Sequence, residues 1–239
     1  MLEVNKIYCI DALEGLKQLD DESIDLVVTD PPYNVLRSNK NLEKADWDHF
    51  KTLDDFLLFT KKWMGECYRV LKKNSVLYTF WSQKYMKEFW NLEQPFAIKR
   101  MIIWHHPNCT KGFNSREYLW TYDPIFYCIK GKGHKFNGSF LQKDNVDVFK
   151  FATPQTNYKK DKQVHFLQKP LELVKKLIKN SSDEGDLVLD PFMGSGTTAI
   201  ACLELNRRFI GFEINPDYVE MAYRRIEPYL KQTRLEVVE

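Results

Sequence analysis

The sequence has no long hydrophobic run and no closely spaced pair of cysteines. None of its apolar stretches approaches the roughly 18 residues that a membrane-spanning helix needs. The first residues carry Glu3, Lys6 and Asp11 at positions where a signal peptide would need an uninterrupted apolar core. The five cysteines are widely spaced and form no C-x-x-C pair, which argues against a disulfide framework. We therefore expect a cytoplasmic protein with no membrane segment and no disulfide bond.

A strong net charge of either sign is missing as well. Lys and Arg total 35 against 33 Asp and Glu, a net charge of +2, which excludes a histone-like polycation and an acidic disordered tail. A binding site for a polyanion would therefore have to be local. Of the 239 residues, 44% are hydrophobic, which is enough for one sizeable core. We expect one domain that spans residues 1–239.

Apolar runs of strand length alternate with segments of helical period through most of the chain, as is typical of an α/β fold. Residues 130–164 differ, because they have no clear period and carry eight lysines against three aspartates, a local charge of +5. We interpret this segment as a basic insertion and a candidate target-recognition segment. The predicted strands are 7–10, 23–30, 75–81, 97–106, 119–131, 186–190 and 208–214.

The strand that ends at Asp190 leads into a glycine-rich turn and then a helix. The turn reads Asp190-Pro-Phe-Met-Gly-Ser-Gly-Thr-Thr-Ala, and its glycines allow a sharp bend and close approach of a ligand to a helix N-terminus. Glu213 ends the next strand, where a carboxylate can accept hydrogen bonds from ribose hydroxyls. These residues indicate a nucleoside-bearing cofactor. A tight turn without a ligand and a dinucleotide fingerprint are the alternatives, although only 45 residues follow Gly194, too few for a second mononucleotide half.

A second strand end carries Asp30-Pro31-Pro32-Tyr33, directly after the apolar run IDLVVT. Neither proline has an N–H to extend the strand, so the four residues form a turn at its carboxyl end. In doubly wound sheets, ligands bind outside the carboxyl ends of the strands. The tetrapeptide is therefore a candidate catalytic loop, and a rigid turn without function is the alternative.

These two motifs together closely resemble those of DNA amino-methyltransferases. That family carries Asp-Pro-Pro-Tyr and a cofactor motif D-P-F-x-G-S-G-T-T, matched here at Asp190 to Thr198 without a substitution. The catalytic motif precedes the cofactor motif, which is the permuted order of the β group. The group's H-P-T-Q-K-P segment corresponds to His165-Phe-Leu-Gln-Lys-Pro170, which departs at Phe166 and Leu167. The resemblance covers nearly the whole chain and is weakest over 107–164.

The resemblance implies one seven-stranded, Rossmann-like fold that binds S-adenosylmethionine and methylates adenine N6 of a flipped-out base in double-stranded DNA. Asp30 and the Pro31 carbonyl would accept the two amino hydrogens, Pro32 would complete the turn, and Tyr33 would stack on the base. Lys169 would pair with the methionyl carboxylate. The implied cofactor-binding residues are Asp11, Ala12, Asp30, His165, Lys169, Asp190, Phe192, Gly194, Ser195, Gly196, Thr198, Glu213 and Ile214.

Several alternatives remain open at this point. Asp11 and Thr198 would look the same as plain helix caps. Cytosine N4 offers the same donors as adenine N6. A catalytically inactive nucleic-acid-binding subunit is a further alternative, although the intact Asp30 and the intact glycine turn speak against it. The spacing of the histidines and cysteines fits no standard zinc site, so no metal is expected. A homodimer and a cognate restriction endonuclease that acts on the same site are possible partners.

Overall fold

The computed structural model describes residues 2–34, 48, 50–108, 118–138, 145–155 and 168–236. The described residues form one sheet with helices on both faces. Its strands are β1 (Lys6–Cys9), β2 (Ile24–Thr29), β3 (Leu71–Phe80), β4 (Ala97–His105), β5 (Tyr122–Ile129), β6 (Val148–Lys150), β7 (Leu187–Asp190) and β8 (Arg208–Glu213). The helices are α1 (Ala12–Leu16), α2 (Leu53–Val70), α3 (Met86–Asn91), α4 (Leu171–Ser181), α5 (Thr197–Glu204) and α6 (Pro216–Glu236), with a 3₁₀ turn at Gln83–Tyr85.

The strand order is β1-β8-β7-β2-β3-β5-β4-β6. The first five strands in this order run parallel, β5 is antiparallel to both β3 and β4, and β6 is parallel to β4. From β7 the chain passes through α5 to β8, and from β2 it passes through α2 to β3. These two connections lead in opposite directions, so the strand order reverses between β7 and β2. A reversal of this kind opens a crevice at the carboxyl ends of the two strands.

Because alternate residues of a strand face opposite sides of the sheet, the core consists of two layers. Leu26 and Val28 of β2 pack with α4, α5 and α6 on one face of the sheet, whereas Val27 packs with α1 and α2 on the other. All three side chains are at most 1% exposed, as expected for a parallel strand that is covered on both faces. A capping box between Thr52 and Asp55 fixes the start of α2.

The described sheet has eight strands, so the predicted number of seven is one short. The additional strand is β6, which lies within the basic segment and pairs with β4 through Ile103 and Val148, Trp104 and Phe149, and His105 and Lys150. Only Phe149 of the three β6 residues is buried. A strand this short, with one apolar residue facing the core, produces no alternation that a sequence pattern reveals.

Within the described ranges, no helix combines the length and the hydropathy needed to cross a bilayer.

The two helical glycines Gly15 and Gly65 make a matched test of the packing of α1 on the sheet. A Cβ added at Gly15 would lie 2.7 Å from the ring of Phe212 in β8, whereas one added at Gly65 in α2 would meet nothing within 4 Å. We expect Gly15→Ala to lower the free energy of unfolding by about 1–3 kcal/mol through overpacking. Gly65→Ala should raise it by up to about 1 kcal/mol, because alanine is the better helix former. Urea denaturation of both variants measures this, and equal effects would contradict the close contact.

Candidate active site

Acidic residues lie at the carboxyl ends of four neighbouring parallel strands or within two residues of them. Asp190 and Glu213 are the last residues of β7 and β8, Asp30 follows β2, and Asp11 lies two residues beyond β1. Because the carboxyl ends of parallel strands meet at one edge of the sheet, all four carboxylates line the same cleft of about 270 Å³. The cleft opens where the strand order reverses, between β7 and β2. Four phenylalanines, Phe50, Phe59, Phe80 and Phe192, contribute apolar lining.

Asp190 is held by three protein donors. Its Oδ1 accepts hydrogen bonds from the Thr29 hydroxyl at 2.8 Å and from the Phe192 N–H at 3.1 Å, and its Oδ2 accepts one from the Thr198 hydroxyl at 2.6 Å. Burial raises the pKa of Asp190 to about 6, although these donors oppose the shift. The carboxylate thus joins β7, β2, the glycine turn and α5 at one point.

The two glycines of the turn have different surroundings. Both have positive φ, +52° at Gly194 and +83° at Gly196. A Cβ at Gly196 would lie 2.9 Å from the Cβ of Ala222 in α6, so this glycine permits close packing of the turn against a helix. A Cβ at Gly194 would meet only the Phe192 carbonyl, at 4.0 Å, and Gly194 lines the cleft. Gly194 therefore lets a ligand approach the backbone, whereas Gly196 is not among the lining residues.

Glu213 is fixed by backbone groups. Its Oε2 accepts from the Gly194 N–H at 2.8 Å, and its Oε1 accepts from the Asn215 N–H at 2.9 Å. Burial raises the pKa of Glu213, and these backbone bonds oppose the shift. An ionised carboxylate oxygen has further lone pairs, so Glu213 can still accept hydrogen bonds from ligand hydroxyls in the cleft.

The Asp30-Pro31-Pro32-Tyr33 loop is anchored by Asp48, which is 2% exposed. Asp48 Oδ1 accepts hydrogen bonds from the Tyr33 N–H at 2.5 Å and the Asn34 N–H at 2.6 Å. Asn34 adopts the left-handed conformation, with φ of 55°. This anchoring sets the direction in which the loop leaves β2.

Both oxygens of the Asp30 carboxylate have protein partners. Lys169 Nζ donates to Oδ2, and the Tyr33 hydroxyl donates to Oδ1. Burial raises the pKa of Asp30, while Lys169 and Tyr33 oppose the rise. The Tyr33 ring also makes an edge contact with Trp81, with centroids 6.4 Å apart.

The structure brings most of the predicted site residues together. Asp11 also caps α1, accepting from the N–H groups of Leu13 and Glu14 at 2.9 and 3.2 Å. His165 lies outside the described residues. Pro31, Tyr33 and Gly196 are adjacent to the lining without being part of it. The predicted residues that line the cleft are Asp11, Ala12, Asp30, Pro32, Lys169, Asp190, Phe192, Gly194, Ser195, Thr198, Glu213 and Ile214.

The sequence patterns did not identify three residues that support the site: Thr29, Asp48 and Arg225. Arg225 of α6 donates to the Ser195 carbonyl at 2.6 Å, to the Ser195 hydroxyl at 3.0 Å and to the Thr197 hydroxyl at 3.2 Å. The signal that could identify Thr29 is a polar residue at the end of the apolar run IDLVVT. Nothing in the pattern around Arg225 indicates its partners, because Arg225 contacts a turn that is distant in sequence.

The raised pKa of Asp190 gives a test of this arrangement. In the folded protein Asp190 releases its proton at about pH 6 instead of the usual 3.8, so the free energy of unfolding falls as the pH rises through this interval. We expect wild-type protein to lose about 3 kcal/mol relative to Asp190→Asn between about pH 4 and pH 6. Urea denaturation of both proteins across this range measures the difference. Asp217→Asn, at an exposed carboxylate of α6, is the control, and a flat difference for Asp190→Asn would contradict the burial of the charge.

Comparison with known proteins places this cleft in a family. The model of the N6/N4 methylase family, described as DNA methylase, matches residues 24–224. The type II methyltransferase M.HpaI of Haemophilus parainfluenzae is 34% identical over 93% of this chain and 74% of its own length. M1.MboII of Moraxella bovis is 30% identical over 93% of this chain and 96% of its own length. The DNA adenine methyltransferase YhdJ of Escherichia coli is 34% identical over 94% of this chain and 83% of its own length.

Solved structures agree with these relatives. The crystal structure of the M1.HpyAVI–SAM complex is 28% identical, with a TM-score of 0.71 over 92% of this chain and 98% of that one. The PvuII cytosine-N4 DNA methyltransferase is 22% identical, with a TM-score of 0.75 over 91% and 84%, and supports the fold alone. The predicted fold class is thereby confirmed, with one strand more than expected. The chain belongs to the N6/N4 family of DNA methylases.

Proposed function

We propose that this chain transfers a methyl group from S-adenosylmethionine to adenine N6 of a base flipped out of double-stranded DNA. The observation that carries the proposal is that one cleft brings together the Asp30 carboxylate after β2, the glycine turn after β7 and Glu213 at the end of β8. Target-binding and cofactor-binding groups thus face each other across the reversal of strand order. The similarity to YhdJ, a DNA adenine methyltransferase, supports the choice of adenine.

The cleft fits the cofactor. Because Gly194 has no side chain, the space beside it is open and a ligand can lie against the backbone. The Glu213 carboxylate can accept hydrogen bonds from a pair of ribose hydroxyls. Ala12 and Ile214 would contact the adenine end together with Asp11, and the Ser195 hydroxyl would donate toward the methionyl carboxylate. S-adenosylmethionine supplies a methyl group on a positively charged sulfur. No metal is needed, and among the described residues no group of three or more His, Cys, Asp or Glu is arranged to hold one.

Asp30 would act on the target nitrogen. The lone pair of an exocyclic amino group is delocalised into the ring, so the nitrogen is a weak nucleophile. Acceptors on its two hydrogens, the Asp30 carboxylate and the Pro31 carbonyl, pull it toward sp³ geometry and aim its lone pair at the methyl group. Since the Tyr33 hydroxyl occupies Asp30 Oδ1, Tyr33 would leave that oxygen when the base enters, and its ring would then stack on the base.

We also propose that exposed lysines of the basic segment 130–164 contact DNA phosphates. Not all eight are available for this. Lys130 is buried and donates to the carbonyls of Tyr68 and Leu71 at 2.8 and 2.6 Å, and Lys135 pairs with Asp183 at 2.5 Å. Lys132 and Lys150 are exposed, whereas residues 139–144 and 156–167 lie outside the described ranges. A homodimer, a cognate endonuclease and a cytoplasmic location stay predictions.

Cofactor binding can be tested at Glu213. We expect Glu213→Gln to weaken binding of S-adenosylhomocysteine by about 1–3 kcal/mol, because a charged acceptor of the ribose hydroxyls is lost. Isothermal titration calorimetry measures the affinity. Asp217→Asn, which removes an exposed carboxylate at the start of α6 without touching the cleft, should bind as the wild type does. Unchanged affinity in Glu213→Gln would mean that the glycine turn serves another ligand.

The base assignment can be tested with labelled cofactor. Purified protein, methyl-labelled S-adenosylmethionine and mixed-sequence duplex DNA should give label in N6-methyladenine after hydrolysis and chromatography. Label in N4-methylcytosine would overturn the choice of adenine and leave amino methylation standing. Asp30→Ala should lower the transfer rate by more than about 100-fold, since the acceptor of the target hydrogen is gone, while binding of S-adenosylhomocysteine changes little. Comparable rates in this variant would contradict the assigned role of Asp30.

A further inference from the structure

Lys169 occupies a position that the cofactor alone does not explain. It lies just before α4, and its side chain, 10% exposed, reaches across the cleft so that Nζ donates to Asp30 Oδ2. The ammonium also lies 5.5 Å from the ring centroid of Tyr33 and 5.2 Å from that of Phe80. These contacts hold Lys169 on the target side of the cleft, beside the residue that would contact the amino group.

The other charged and titratable groups around Asp30 are negative or neutral. Asp123 of β5 and Asp190 of β7 both interact unfavourably with a charge on Asp30. Asp123 itself contacts the imidazole of His106 at 3.2 Å. Tyr33 faces Oδ1 as a neutral hydroxyl, because burial and the Asp30 charge raise its pKa well above the usual value. The positive charge in contact with the Asp30 carboxylate is therefore that of Lys169.

We propose that Lys169 is a positioning residue for methyl transfer, which remains on Asp30 Oδ2 with cofactor and base bound and keeps that carboxylate ionised. The inference rests on the proposed function. As the lone pair of the target nitrogen forms the bond to the methyl carbon, the sulfur keeps the electrons of the broken C–S bond and the nitrogen becomes positively charged. The nitrogen then releases one of its two hydrogens as a proton to solvent water. An ionised Asp30 stabilises that charge through Oδ1, whereas a protonated Asp30 does not. This role differs from pairing with the methionyl carboxylate, which the family resemblance implies.

The two roles predict different results for Lys169→Gln. If Lys169 keeps Asp30 ionised, the acid limb of the kcat–pH profile at saturating cofactor should move up by about 1–3 pH units, the effect of removing an adjacent opposite charge. Affinity for S-adenosylhomocysteine should change by less than about threefold, or about 0.7 kcal/mol. Lys169→Arg should restore the acid limb. A loss of affinity greater than about tenfold with an unmoved acid limb would overturn the proposal.

Lys175→Gln provides the matched control. It removes a lysine of α4 that pairs with Glu204 at 2.7 Å, away from the cleft, and its pH profile should follow the wild type. If Lys169→Gln does not fold, Lys169→Met replaces it, because methionine also removes the positive charge and has an unbranched, flexible side chain. Thermal unfolding of Lys169→Met shows whether it folds, and its pH profile is then compared with that of the wild type.

A measurement that does not depend on activity separates this inference from the proposed function. The ¹³C resonance of the Asp30 carboxyl, assigned by its loss in Asp30→Asn, should titrate at higher pH in Lys169→Gln than in wild type, both bound to S-adenosylhomocysteine. An unchanged titration midpoint would overturn the role of Lys169 even if methylation proceeds. If the wild-type protein methylates no DNA base but the midpoint moves, the proposed function fails and the electrostatic link between Lys169 and Asp30 stands.

Discussion

The carboxylate of Asp190 is the interaction on which the rest of the site depends. It lies at the reversal of strand order, and its hydrogen bonds with Thr29, Phe192 and Thr198 connect β7, β2, the turn and α5. A carboxylate this deeply buried is costly unless its lone pairs are satisfied. Its placement therefore requires all three donors at once, which fixes the position of the glycine turn relative to the catalytic loop.

Hydrogen bonds from backbone N–H groups to a carboxylate recur on both sides of the cleft. Glu213 accepts from the backbone of Gly194 and Asn215, and Asp48 accepts from the backbone of Tyr33 and Asn34. In each case an acidic side chain accepts hydrogen bonds from the backbone N–H groups of a loop. Loops held in this way need little rearrangement when a ligand arrives, which is the condition for catalysis by positioning.

The sequence predicts those parts of the site that depend on local pattern. Each strand end with an acidic residue could be identified because the apolar run before it is clear, and twelve of the predicted residues line one cleft. Gly194 and Gly196 look equivalent in sequence. The close approach of Gly196 to Ala222, which is known only from the structure, shows that Gly196 serves packing. Lys169 on Asp30, Arg225 on Ser195 and Asp48 beneath Tyr33 depend on tertiary contacts. A pattern of period 2 or 3.6 carries no information about such pairs.

The pairing of β1 with β8 has a consequence for biosynthesis. Lys6 lies opposite Ile210 and Cys9 opposite Glu213, so β1 is synthesised long before the strand with which it pairs. At typical translation speeds of about 5–20 residues per second, β1 waits on the order of ten seconds or more for its partner. During that time it is an unpaired edge, and contacts this distant in sequence also form slowly. The nascent chain therefore completes the part of the cleft that carries Asp11 only after β8 has been synthesised, and a chain that stalled before β8 would lack both Glu213 and a partner strand for β1.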